Sequence, residues 1–484
     1  MPSRIAIIGA GPGGLLCARV LQRHGIAVTV YDSDASVTAR DPGGTLDLHA
    51  DSGQIALEDA GLMADFLRLA RLEDQAKRRL DHHGNVLHTF VPDAGDAAAP
   101  EIDRGRLRAL LAAHVEPGTV RWGHRLTTAV PLGGGRHRLE FADGGHAEAD
   151  LVIGADGAWS RVRPLLSDAV PAYTGISFLD VRYDDADHRH PRIAAIVGEG
   201  HMFARDDDGR AIIAQRNSDG LVRAYLAMRT GLDWHTEADV DLRDSGAVRR
   251  FLLREFGGWS ERLLPFLTEA DDSGFVHRPI WALPAPLTWA HVPGVTLLGD
   301  AAHLMAPFGG FGVNLALLDA AELARAIAEE PTLDQAVIRY EATMLPRSGP
   351  LAAGANDALA RFFAPGDFAT ARVPDHEAEH RHYREAAARY RLDGVWTVSF
   401  RTPRGRQESE LVLAAGTEAV TGTFDGAAIE DGRLDGTGLS FSAVLTSPFR
   451  VRVAFTASID GDTMSGQAKA PMMTIPITGT RRAA

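Results

Sequence analysis

The apolar run Arg4-Ile5-Ala6-Ile7-Ile8, followed by Gly9-Ala10-Gly11-Pro12-Gly13-Gly14, restricts the start of this chain to one kind of unit. The run reads as a short buried parallel strand, and Leu15, Leu16, Ala18, Val20 and Leu21 form the apolar side of a helix that follows the glycines. Gly9 permits a tight turn, Gly11 lets a pyrophosphate approach the backbone, and Gly14 lets the helix pack closely on the strand. Phosphates then lie at the positive end of the helix. A second strand, Ala27 to Tyr31, ends at Asp32, about 20 residues on, where a carboxylate can accept hydrogen bonds from ribose hydroxyls. The pattern is that of a dinucleotide-binding βαβ unit, with NAD and FAD both open at this point.

At 484 residues the chain exceeds one ordinary domain, so roughly two to four are expected. A net charge of -14 argues against a nucleic-acid groove, because phosphate backbones need a basic surface. Cys17 is the only cysteine, which rules out an intrachain disulfide. Its place beside Leu16 and Ala18 suits a packing residue rather than a nucleophile. The N-terminus enters a strand at once, and no run approaches the length of a bilayer span. A cytoplasmic protein with no membrane partner is expected.

Along the chain, Leu151-Val152-Ile153 reads as a further buried strand, leading to Asp156-Gly157. Alternating segments such as Ala211 to Ala214 and Leu221 to Leu226 suggest a mostly antiparallel inserted sheet. Helical composition from Ser348 to Arg391 is interrupted near Pro365-Gly366 and Pro374. Short β runs follow: Val395 to Phe400, Glu408 to Leu413, Ala419 to Phe424, Leu439 to Val444, Val451 to Ala457, Met464 to Lys469 and Met473 to Ile477. Asp425-Gly426, Asp431-Gly432, Asp435-Gly436 and Asp460-Gly461 punctuate them as turns. The expected fold is α/β. A Rossmann-like dinucleotide domain covers 1–75, 101–165 and 278–345, and an antiparallel-sheet domain for substrate covers 76–100 and 166–277. A helical linker at 346–391 and a small all-β, barrel-like domain at 392–482 complete it.

A third glycine signal decides between cofactors. Val295 to Leu298 runs into Gly299-Asp300-Ala301-Ala302-His303, then Pro307-Phe308-Gly309-Gly310-Phe311-Gly312-Val313-Asn314 and a helix from Leu315 to Ala328. Asp300 can accept hydrogen bonds from a sugar-alcohol chain, and backbone N–H groups at Gly310 to Asn314 point out of a helix N-terminus. Such an end stabilises negative charge, which a reduced flavin carries at its N1/O2 edge. That favours a flavin over a nicotinamide. His303 reads as a packed histidine near the cofactor. His376-Glu377-Ala378-Glu379-His380 has a zinc-like spacing, yet its helix is charged on almost every side with no third ligand, so no metal is expected.

In order, these motifs resemble the class A FAD-dependent aromatic hydroxylases of the p-hydroxybenzoate hydroxylase type. Gly43-Gly44-Thr45-Leu46-Asp47-Leu48-His49 and Pro100-Glu101-Ile102-Asp103-Arg104 are similar, more closely, to the tetracycline-inactivating flavin monooxygenases. The resemblance spans about Met1 to Phe363 and leaves out the terminal β segment. It implies FAD as prosthetic group, NADPH or NADH as co-substrate, and O2 as the source of one oxygen atom. That atom would be inserted through a flavin C4a-hydroperoxide into a bulky aromatic or polyketide-like metabolite or antibiotic.

By position, the resemblance places Gly9, Gly11, Gly14 and Asp32 at the pyrophosphate and adenosine ribose, and Arg104 at the pyrophosphate or ribityl region. Asp156 would support the cofactor and Asp300 would bind the ribityl hydroxyls. Leu46 and Asp47 would lie beside the isoalloxazine, and Pro307, Gly310, Gly312, Val313 and Asn314 at its pyrimidine edge. Ile196, Ile213, Arg223, Phe308 and Phe311 are the expected substrate-pocket residues. Because the flavin would carry the hard step, no catalytic side chain is singled out. Other readings are a Baeyer-Villiger oxygenase, a halogenase, a reductase, or a resistance protein that sequesters a ligand in its β segment. The halogenase reading lacks its Trp-x-Trp-x-Ile-Pro run. A monomer or dimer is expected.

Overall fold

The computed structural model describes residues 3–40, 43–270, 274–402, 405–415, 419–435, 438–446, 450–460, 463–471 and 473–482, so Gly436 and Gly461 of two expected turns lie outside it. The chain divides into two compact units, Met1–Glu377 and Ala378–Ala484.

In the first unit, five parallel strands lie in the order Val295–Leu297, Leu151–Gly154, Ile5–Ile8, Val28–Asp32, Val120–Trp122. The three strands at the start of this order are buried along their whole length. Layers cover both faces of such a sheet, which is why these strands read as continuous apolar runs. The helices Pro12–Arg23 and Phe311–Glu329 pack together. Gly13 makes this approach possible: a Cβ there would sit 2.7 Å from Leu298 Cδ1 and 2.9 Å from Ala316 O. A Cβ on Gly14 would collide with Gly9 O, so the helix can lie on the turn only without one.

A seven-stranded sheet follows the order Val276–Ala282, Ala172–Tyr183, Val222–Arg229, Ala211–Arg216, His201–Arg205, Lys77–Asp81, Val86–Phe90. All neighbours are antiparallel except His201–Arg205 beside Lys77–Asp81. Alternate residues face opposite ways. One face packs Leu179, Val181, Tyr183, Ile212 and Leu226 against Trp234, Phe251 and Phe266. The other carries Phe178, Ile213 and Ala227 toward Ala306 and Phe363. Ile196 corrects a sequence expectation. It lies in the helix Pro191–Val197 and packs on the helix-covered face, because that segment folds over the sheet rather than continuing it.

The helix Leu333–Phe362 runs unbroken through Pro346 and Pro350, so the domain boundary expected at 346 falls inside it. An interior proline costs about 3 kcal/mol. Burial of Tyr340, Met344, Ala352, Ala355 and Leu359 along the same helix offsets that cost.

The second unit carries most of the helix His376–Leu392 and a closed barrel of eight antiparallel strands between Gly394 and Arg481. Its interior is filled by side chains including Trp396, Leu411, Phe424, Phe441, Phe455 and Ile477. Phe441 stacks on Phe455 at 4.6 Å, and Phe424 lies 4.8 Å from Phe455. The strand Ala427–Asp435 escapes the sequence reading, which treats Asp431-Gly432 as a turn. Instead the pair sits where the register shifts between Glu430 and Arg433, with Asp431 at φ 54°. A β-bulge absorbs the turn chemistry while the strand continues. At Asp425-Gly426 a two-residue hairpin with both φ positive does form.

Candidate functional site

The strand order sets side by side four chain segments that are far apart in sequence. Gly9, Asp32, Asp156 and Gly299-Asp300 each lie at or just beyond the C-terminal end of one of four adjacent parallel strands. Ligands of open parallel sheets bind in the crevice outside those ends.

At the first end, Gly9 has φ 108° and donates its N–H to Tyr31 O at 2.7 Å. Around a Cβ placed on Gly11, nothing lies within 4 Å. The helix Pro12–Arg23 begins there with no side-chain cap and no acid in its first turn. The helix Phe311–Glu329 begins the same way after Gly310, a left-handed residue at φ 67°. Both helices therefore present unsatisfied N–H groups and a positive dipole end.

Asp32 is buried and accepts from Ala10 N at 2.5 Å and Asp34 N at 2.7 Å. It therefore holds the glycine turn in addition to any ribose contact. Arg108, missed in the sequence, completes this corner. Its Nε donates to Ala10 O at 2.9 Å, its Nη1 pairs with Asp34 at 2.9 Å, and its buried Nη2 has no hydrogen-bond partner, 3.7 Å from Asp32 Oδ1. Burial pushes the Asp34 carboxyl up, but Arg40 and Arg108 hold it below the usual carboxylate range. An arginine inside the apolar stripe Leu107, Leu110, Leu111 is the signal that could have revealed Arg108.

Asp300 is exposed in the first turn of Asp300–His303 and has no side-chain partner among the described residues. Its Oδ1 lies 4.0 Å from where a Cβ on Gly312 would be. The turn that presents it is anchored by Asp319, which is fully buried. Asp319 accepts from Gly299 N at 3.0 Å, pairs with His303 Nε2 at 2.6 Å and accepts from Arg347 Nη2 at 2.8 Å. Against the upward push of burial, His303 and Arg347 keep its carboxyl depressed. His303 is thus a packed residue.

Leu46 and Asp47 belong to the strand Thr45–Asp47, paired with Glu101–Asp103. The Asp47 carboxylate rests against Gly310, where a Cβ would collide with it, and lies 3.3 Å from His49 Nε2. Burial raises and His49 lowers its carboxyl, and the net direction is strongly down. Asn314 departs from the backbone role expected for it, because its side chain is a clamp. Oδ1 accepts from His49 N at 2.8 Å, and Nδ2 donates to Asp47 O at 2.7 Å and Gly310 O at 2.8 Å. Val313 packs against the main core and Pro307 is exposed.

Arg104 is exposed at the start of Arg104–Ala113, and its backbone N–H donates to Gly44 O at 3.1 Å. No hydrogen bond or ion pair engages its side chain among the described residues. Asp156, by contrast, accepts from Ser160 Oγ at 2.5 Å and Arg161 N at 2.6 Å, and burial pushes its carboxyl up. Its carboxylate shapes the turn beside Gly9.

Gly44 and Ala306 adjoin the second face of the seven-stranded sheet. Its register puts Asp180, Tyr225, Ile213 and Phe203 in one row, and Arg223, Gln215 and His201 in the next. Phe308, Phe362 and Phe363 pack against this face. Ile213 and Phe308 belong to one apolar cluster on this face, and Arg223 stands in the neighbouring row. Phe311 is not in this group; it packs beside Met305, Leu315 and Ala352 and meets His49 edge-on at 6.0 Å. No group of three or more His, Cys, Asp or Glu among the described residues could hold a metal. No described helix is long and apolar enough to cross a membrane.

The residues present fit a flavin dinucleotide. Open space at Gly11, two uncapped helix ends, the free Asp300 carboxylate and the free Arg104 guanidinium supply the donors and acceptors that its phosphates and hydroxyls need. Comparison with known proteins agrees. Residues 3–254 and 288–344 match the family model described as FAD binding domain. The chain is 31% identical to monooxygenase asqM of Emericella nidulans over 374 residues, covering 66% of this chain and 83% of that protein. The fold is similar to HpxO of Klebsiella pneumoniae, solved with FAD and uric acid, at TM-score 0.63 and 21% identity over 80% of this chain and 92% of that one. It is also similar to the tetracycline destructase Tet(55), at TM-score 0.60 and 20% identity over 80% and 97%.

Proposed function

The chain belongs to the FAD binding domain family and is an FAD-dependent monooxygenase, and on that premise we propose that it uses NADPH or NADH to insert one oxygen atom of O2 into a bulky aromatic or polyketide-like metabolite. The observation that carries this reading is the convergence of unpartnered groups at adjacent strand ends. Asp300 and the uncapped helix Pro12–Arg23 lie at ends of adjacent parallel strands, the start of the helix Phe311–Glu329 adjoins Asp300, and Arg104 stands beside Gly44, within charge reach of Tyr225.

FAD, if bound by these residues, would supply the redox chemistry, namely hydride acceptance from a nicotinamide and delivery of one oxygen atom of O2 with the other released as water. The chain's own residues bind, orient and exclude water. In this reading, segments 1–75, 101–165 and 278–345 hold FAD. Gly9, Gly11 and Gly14 let the pyrophosphate reach the N–H groups of the helix Pro12–Arg23. Asp32 takes the adenosine ribose, with Arg108 neutralising that corner. Asp300 takes ribityl hydroxyls, aided by Arg104, and Asp319 fixes its turn. N–H groups of Gly310, Gly312 and Val313 face the pyrimidine edge, where they stabilise developing negative charge. Asn314 and Asp47 hold that loop and the Leu46 strand in register.

On the facing sheet, contributed by 76–100 and 166–277, Ile213, Phe178 and Phe308 form a dry wall that keeps water from the reacting oxygen. The test is to purify the full chain, record its flavin spectrum, and follow NADPH oxidation and O2 consumption against a panel of aromatic natural products. The expected result is yellow protein and a product heavier by one oxygen. Colourless protein that refuses added FAD would refute the reading. NADPH turnover without O2 consumption would make it a reductase.

A further inference from the structure

Two buried polar groups behind the Asp300 turn are left without partners, and both residues border the same small cavity. His303 closes the short helix Asp300–His303, with 4% of its side chain exposed. Its Nε2 lies 2.6 Å from Asp319 Oδ2, which also accepts from Gly299 N at 3.0 Å. An ionised carboxylate only accepts, so Nε2 carries the proton and Nδ1 is the atom left over. That Nδ1 is buried and has no hydrogen-bond partner. Ser348, on the long helix Leu333–Phe362, is 2% exposed, and its Oγ is equally unpartnered.

The cavity lies where three segments meet: 283–287, the end of the Asp300 turn at 302–304, and the long helix at 344–352. It leaves about 10 Å³ to a water-sized sphere, which is room for one water molecule. The other residues around it, among them Leu283, Leu304, Met344 and Ala352, have apolar side chains. A wholly apolar cavity can stay dry, but two unmet polar atoms change the balance. Holding one water costs less than leaving both of them unpaired. Water also suits either form of the imidazole, since it donates to a bare Nδ1 and accepts from a protonated one.

We propose that one ordered water occupies this cavity, bridging His303 Nδ1 and Ser348 Oγ, and that Ser348 is thereby a positioning residue for the turn that presents Asp300. Arg347, the preceding residue, reaches the same turn through Asp319 at 2.8 Å. Consecutive residues of the long helix thus hold the turn, one by an ion pair and one by a water. The consequence for the cofactor rests on the FAD reading of Asp300, whereas the water itself does not.

The first test is a high-resolution crystal structure of the FAD-loaded full chain. A water should lie within about 2.7–3.2 Å of both atoms. An empty cavity, a direct bond between the two side chains, or a Ser348 Oγ turned back to the Met344 carbonyl would overturn the proposal. FAD affinity of two variants tests the positioning role. Ser348→Val puts methyl groups where the water sits and leaves Nδ1 unpaired, so the FAD dissociation constant should rise about tenfold. Ser348→Ala removes the hydroxyl but keeps space for a water on Nδ1, so the rise should stay within about threefold. A plain packing role predicts the reverse order, because alanine enlarges the cavity and valine fills it. Equal affinities in the two variants, or a larger loss in Ser348→Ala, would therefore overturn the positioning role. The crystal structure of the unaltered protein decides the case even if Ser348→Val does not fold. Unaltered protein that takes up no FAD would instead refute the cofactor reading, and the FAD-free crystal would still decide the water, which separates the two failures.

Discussion

The edge of the parallel sheet and the interior of the eight-stranded barrel treat their own surfaces in opposite ways. An eight-stranded barrel has room inside for side chains or for one small ligand, and here Trp396, Phe424, Phe441 and Phe455 take the space. At the sheet edge, Gly11 leaves space open, two helices start without side-chain caps, and the Asp300 side chain has no hydrogen-bond or ion-pair partner among the described residues. A glycine in place of a capping side chain forgoes only about a few tenths of a kcal/mol, whereas a buried donor such as Arg108 Nη2 without a partner costs about 1–3 kcal/mol. One region is complete by itself, while the other is stabilised in full only when a ligand satisfies it. The barrel therefore gives no support to the sequestering reading.

That contrast can be broken most forcefully in the barrel. Phe455→Ala should remove about 3–5 kcal/mol of stability from it, measured by denaturant unfolding of the full chain. FAD content should stay unchanged, and flavin lost along with barrel stability would show that the two regions are not separable in this way. Next in size, Asp300→Ala should weaken FAD binding by about 30- to 100-fold, the equivalent of hydrogen bonds to a charged group. Because no described residue bonds to the carboxylate, the melting temperature of the FAD-free protein should not move. A variant that stays yellow through dialysis would count against the site.

A smaller effect sharpens the comparison at Gly11. A methyl there meets nothing within 4 Å, so Gly11→Ala should leave FAD-free stability within about 0.5 kcal/mol. It should still cost about tenfold in FAD affinity, because the methyl occupies the pyrophosphate approach. Equal FAD affinity would place the phosphates elsewhere. The smallest effect is expected at Cys17, on the packed side of the same helix. Burial pushes its thiol up to about 12, so almost no thiolate exists at pH 8. A thiol reagent should label it only as fast as the protein unfolds; rapid labelling would mean that the helix is far more open than its packing implies.

Signals confined to a few neighbouring residues were legible in the chain itself. Gly9 to Gly14 must turn and then start a helix, Gly299-Asp300 must follow a buried strand, and the Asp425-Gly426 hairpin needs two positive φ angles. Each follows from backbone sterics and hydrophobic periodicity, which act over a turn or two. Asp431-Gly432 carries the same local chemistry, yet its strand neighbours override it and turn it into a bulge. Pro346 and Pro350 likewise yield to the packing around them.

What tertiary structure alone decided is which of these local pieces meet. Arg108 reaches Ala10 across 98 positions, and Asn314 reaches His49 across 265. Asp319 anchors the Gly299 turn, and Asp180 gathers two arginines from neighbouring strands. No periodicity announces such partners, because a buried polar group is satisfied by whatever the fold brings within about 3 Å of it. The chain determined where it could turn, extend and coil, while strand order and sheet register determined which unpaired groups came to face one another.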